Sequence, residues 1–148
     1  MSGNSININS NNGLLKKIVT IPSATVQTMS NTNAVQLIDT NSQYFAIPLH
    51  CYFVIGNNQT VTYANFNDIH LQRSNNVTDK IATYSENAIT NGELITNICY
   101  SFNINLKNNP VRYGSAQGLK GIYIAFGSLP TKGNGDMIVH LWYTVLVP

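Results

Sequence analysis

The sequence predicts an all-β fold: an antiparallel β-sandwich, jelly-roll-like, with an extended N-terminal arm. Three observations predict it. Apolar residues alternate with a period of two in several runs, while no stretch sustains a 3.6-residue period. The runs are separated by Asn, Gly and Pro turns. Asparagine, with 22 copies, replaces the usual charged surface, since charged residues are only 9% against about a quarter in ordinary domains. About eight to ten short strands are expected, in the pattern of a sandwich or jelly roll.

Residues 1–13 are Asn- and Ser-rich, with Ile6 and Ile8 as their apolar points. So polar a segment buries too little surface to offset its ordering entropy. It is expected to be an arm ordered only by a partner, ahead of one β domain over 14–148. "KKIVTIPSATVQTM" reads as two short strands around Pro22, and "AVQLID" as the next. In "QYFAIPLHCYFVIG" one parity holds Phe45, Ile47, Leu49, Cys51, Phe53 and Ile55, the expected core face. The other holds Tyr44, Ala46, Pro48, His50, Tyr52 and Val54, with Pro48 marking an edge or a bulge.

"GNNQ" is a turn, and "TVTYANF", "DIHLQR" and "DKIATYS" read as strands. Asn91-Gly92 is a hairpin dipeptide. The strand after it puts Leu94, Ile98, Tyr100, Phe102, Ile104 and Leu106 on one side, with Asn97, Cys99, Ser101, Asn103 and Asn105 on the other. "NNPVRYGSAQG" is a loop and "LKGIYIAFG" a strand. The last strand, within "TKGNGDMIVHLWYTVLVP", is apolar on both parities. Met137, Val139, Leu141, Tyr143, Val145 and Val147 are expected in the core. Ile138, His140, Trp142, Thr144 and Leu146 are expected toward a subunit contact.

The function classes narrow by exclusion. Eight Lys and Arg are scattered and the net charge is +2, so the basic stripe of a nucleic-acid binder is absent from the sequence. No apolar run approaches the roughly twenty residues of a membrane span. The N-terminus has neither the charged nor the apolar region of a signal peptide. Cys51 and Cys99 are expected as buried free thiols.

No catalytic constellation is visible. The six acids fall mostly at turns and strand ends, where Asp caps backbone amides. His50, His70 and His140 lie on three separate strands without metal-ligand spacing. His50 and Cys51 are adjacent on a strand, so their side chains point to opposite faces and cannot form a Cys–His pair. "GNGD" lacks the further carboxylates of a calcium loop. Neither enzyme activity nor a cofactor is expected. Tyr and Trp residues among many Asn leave a carbohydrate platform open, but the same residues favour subunit interfaces.

"IVTIPSATVQTMSNTNAVQLIDTNSQYFAIPLHCYFVI", "TVTYANFNDIHLQ" and the closing Gly133-Asn134-Gly135-Asp136 to Tyr143 strand resemble small virion proteins of tailed bacteriophages. The resemblance covers roughly residues 17–73 and 119–147 and does not extend over 74–118. Thr40-Asn41-Ser42 stands where a Gly-rich turn is usual in that group. The resemblance implies a building block of the particle, without catalytic residues. Together with strands apolar on both faces, it leads us to expect a non-enzymatic head auxiliary, decoration or head-fibre protein of the virion, assembled in the bacterial host cytoplasm. Its expected partners are copies of itself, as a homotrimer, and other virion proteins such as the major capsid protein. The expected contact residues are Ile6, Ile8, Tyr44, His50, Tyr52, His140 and Trp142. The alternative is a carbohydrate-binding module, either lectin-like or receptor-binding at a tail tip.

Overall fold

The structure is a computed structural model that describes residues 13–39, 45–73, 80–85, 99–106 and 121–146. Among them lie eight strands and one short helix: β1 (Leu15–Ile21), α1 (Ser23–Val26), β2 (Val35–Ile38), β3 (Phe45–Asn57), β4 (Ile69–Gln72), β5 (Lys80–Tyr84), β6 (Cys99–Ser101), β7 (Ile122–Phe126) and β8 (Asp136–Leu146). The expectations for Ile6, Ile8, Tyr44 and the Asn91-Gly92 hairpin lie outside the described residues.

The strands form two four-stranded antiparallel sheets, ordered β1-β8-β3-β6 and β2-β7-β4-β5. The pairs β4–β5, β3–β6, β2–β7 and β1–β8 are nested, each enclosing the one before in sequence. The β3–β8 and β4–β7 ladders then close the two sheets. A long antiparallel hairpin rolled up in this way is the jelly-roll arrangement.

One continuous core fills the space between the sheets. From β8 it takes Met137, Val139, Leu141 and Tyr143, and from β7 Ile122, Ile124 and Phe126. Phe53 contacts the rings of Tyr84, Tyr100 and Phe102, and Phe66 stacks on Phe126 at 4.5 Å. Such aromatic contacts add about 0.5–1.5 kcal/mol each beyond area burial.

Several local expectations are corrected. Pro22 does not separate two strands. It ends β1 and starts α1, its φ of −62° being suited to a helix start. The Pro22 carbonyl accepts the Thr25 and Val26 N–H groups. Ser23 N–H donates to Asp136 Oδ1 at 2.9 Å, and Gly135 N–H donates to Ser23 Oγ at 3.2 Å.

"TVTYANF" is not a strand. Asn58, Asn65, Asn67 and Asp68 have φ of +59°, +58°, +63° and +108°, which turns the chain repeatedly. The segment is held instead by Asn134 Oδ1, which accepts Thr60 and Val61 N–H at 2.7 and 2.9 Å.

In β3, among the side chains the structure describes, the expected core parity holds for Cys51, Phe53 and Ile55 and fails for Ile47 and Leu49. Ala46 and Pro48 are buried in its first part, while Ile47 is half-buried and Leu49 exposed. The ladder to β8 skips from Pro48 to His50, leaving Leu49 as an extra residue. A bulge at Pro48–His50 therefore exchanges the faces. Of the strand expected after Asn91-Gly92, the described residues 99–106 pair as a strand over Cys99–Ser101, with Phe102 buried and Asn103 exposed on the expected parities. Cys51 is buried, but Cys99 is exposed; both are free.

Candidate interaction surface

Strand β8 is an interior strand, flanked by β1 and β3. Ile138, His140, Trp142 and Thr144 face away from the core, and the two ladders place side chains of three strands in rows. Lys16, Trp142 and His50 form one row; Ile18, His140 and Tyr52 form the next. Thr20, Ile138, Val54 and Cys99 form a third across four strands. The outer face of this sheet is therefore a small aromatic grid.

The rings are engaged with each other. His50 and Tyr52 stack along β3 at 6.5 Å, and His140 and Trp142 along β8 at 6.3 Å. Tyr52 meets Trp142 edge-on at 5.5 Å across the diagonal. Lys16 Nζ lies 4.7 Å from the Trp142 ring centroid, a cation–π contact worth about 0.5–1 kcal/mol at an exposed site. The grid is nevertheless open to solvent: Ile18 is 54% exposed and Tyr52 38%. A large apolar side chain alone on a surface is ordinary; here several stand side by side.

Four sequence-predicted contact residues, His50, Tyr52, His140 and Trp142, thus lie side by side on one face. Lys16 and Ile18 belong to the same grid and were missed. Their neighbourhood depends on the β1–β8 pairing, which joins opposite ends of the chain, and no local signal announces it.

Among the described residues, Cys51, His70 and Arg73 are buried away from this face. Burial pushes the Cys51 thiol up to about 12, with Cys99 adding to the rise, which makes Cys51 a poor nucleophile. His70, on β4, is only 3% exposed, and its Nδ1 lies 3.2 Å from Thr83 Oγ1. Burial lowers its pKa, and Lys80 lowers it further, against an opposing pull from Asp68. Arg73 Nη2 donates to the buried Ala46 carbonyl at 2.6 Å, tying the β4 end to β3. Among the described residues, no group of three His, Cys, Asp or Glu is placed to hold a metal ion.

Comparison with known proteins returns no matching family model, no matching curated protein and no matching solved structure.

Proposed function

We propose that this chain is a non-enzymatic structural subunit of a tailed-bacteriophage virion, and that its outer aromatic face is covered by a neighbouring protein in the particle. The observation that carries the contact part is the outward grid of exposed Ile18 and Tyr52 with half-buried His140 and Trp142 on the β1-β8-β3 sheet. Tyr and Trp at the centre of such a patch are the residues that dominate binding energy in protein interfaces. The virion part rests on the resemblance of the Ile21-Pro22-Ser23-Ala24, Leu37-Ile38-Asp39 and Gly133–Asp136 segments to small phage proteins. The jelly roll is common in capsid and lectin domains alike, so the fold by itself does not choose between them.

A carbohydrate-binding module is the second reading. A sugar platform needs an aromatic face free to meet a pyranose ring. Here Lys16 lies over Trp142 and Tyr52 abuts its ring, which favours a protein contact over a glycan.

The test is to band the particles of the phage that encodes this chain and identify their proteins by mass spectrometry. The chain should be recovered in the band in fixed proportion to the capsid protein. Its presence in the lysate with absence from the banded particles would overturn the reading.

A further inference from the structure

We propose that the occupant of the aromatic face is a second protein whose contact surface is apolar at its centre and rimmed with carboxylates. The inference rests on the reading of this face as a contact surface and adds the partner's chemistry. Among the described residues, the outward positions of β1, β8, β3 and β6 include Lys16, His50 and His140; the one acid of these strands, Asp136, stands at the first residue of β8, far along the strand from the Lys16 row, and its Oδ1 accepts the Ser23 N–H. Lys17, at the outer edge of the same sheet, is exposed as well. A face with cationic and imidazole groups around Ile18, Tyr52 and Trp142 offers apolar burial at its middle and attraction to negative charge at its side.

The alternatives fit less well. A second copy docking by the same face would make an isologous contact, in which this one patch serves both sides. Both Lys16 groups would then be enclosed in the interface, while the Lys16, Trp142, His50 and Ile18, His140, Tyr52 rows supply no carboxylate from either copy to pair with them. An anionic membrane is held by clusters of about four to eight Lys or Arg, and among the described residues Lys16 and Lys17 are the cations at this face. A nucleic acid demands several phosphate contacts for comparable affinity, and among the described residues this face offers two lysines. A carboxylate-rimmed protein surface uses both halves of the face.

The experiment titrates the full chain with a glutamate–tyrosine copolymer and follows the emission of Trp142, the sole tryptophan. A lysine–tyrosine copolymer and phosphatidylserine vesicles serve as controls. The glutamate–tyrosine copolymer should bind saturably and shift the emission. Lys16→Glu should weaken binding by about tenfold or more, and so should raising salt to about 0.5 M. Lys16→Arg should retain it, and circular dichroism of both variants should match that of the parent chain. Equal binding of the lysine copolymer, an unchanged affinity in Lys16→Glu, or preferential binding to the vesicles would overturn the proposal. So would self-association in light scattering that is lost in Trp142→Ala but intact in Lys16→Glu. Each of these results leaves the virion reading standing, because that reading falls only if the chain is absent from banded particles.

Discussion

At the scale of single residues, position in the ladder decides what a side chain does. Trp142 and Leu141 are neighbours in sequence, yet Leu141 is fully buried and Trp142 half-buried on the opposite face. Trp142→Ala should therefore leave a folded domain. It should cost about 1–2 kcal/mol through the lost Lys16 and Tyr52 contacts, measurable by urea denaturation. Failure of the variant to fold would place Trp142 in the core. His70 is the reverse case, a buried titratable group. Its folded pKa lies below the ordinary value of about 6.5, so the unfolded chain binds the proton more readily. Its contribution to stability is then full above about pH 6.5 and declines as pH falls toward the lowered value, with a slope of at most about 1.4 kcal/mol per pH unit. The melting temperature should drop between pH 7.5 and 5, and His70→Gln should flatten that drop. An unchanged slope in the variant would show that other groups carry the acid sensitivity. Gly133, with φ +131°, sits against the Tyr63 ring, where an added Cβ would collide. Gly133→Ala should cost about 2–3 kcal/mol from strain and overlap together.

At the scale of elements, the bulge in β3 yields an unusual expectation. Deleting one residue from an interior strand normally sends the rest of the strand to the wrong face. Leu49 is the exception, because it has no partner on β8. Without it, Pro48 would still face the core, His50 the outside and Cys51 the core, in regular alternation. The Leu49 deletion should therefore fold with a cooperative melt. Deletion of Tyr52 would drive His50 into the place of Cys51 and should not fold. Comparable melting of the two deletion variants would contradict the face exchange at Pro48. The same element explains what the sequence could and could not reveal. The alternation Met137, Val139, Leu141, Tyr143 is local, so both faces of β8 were legible, and with them His140 and Trp142. Pro48 announced a bulge, but the exchange of faces it causes was not carried through to Ile47 and Leu49. The α1 turn was hidden because Ser23 is fixed by Asp136 and Gly135 from the far end of the chain. "TVTYANF" has strand-forming residues, yet the left-handed Asn positions beside it and the clasp from Asn134 override that propensity.

At the scale of the whole molecule, the nested pairing orders the folding. The β4–β5 ladder joins Gln72 to Lys80, a short loop. The β1–β8 ladder joins Leu15 to Tyr143, almost the full length of the chain. Closing a long loop costs more entropy than closing a short one, and the cost is met before the contacts form. The inner pair should therefore form early, with β7 against β4, and the outer pair should zip on last. Refolding is expected in about milliseconds to seconds, the range of domains dominated by non-local pairing. Two truncations separate inner from outer. Leu71→Ala, in β4, should mainly slow folding, whereas Val19→Ala, in β1, should mainly speed unfolding. Stopped-flow chevrons read through Trp142 are suited to the test, because Trp142 lies between β1 and β3 and senses the last strand to join. If Val19→Ala slows folding as much as Leu71→Ala does, relative to the stability each removes, then β1 and β8 are already paired in the transition state. The roll would then close from its ends rather than from its central hairpin.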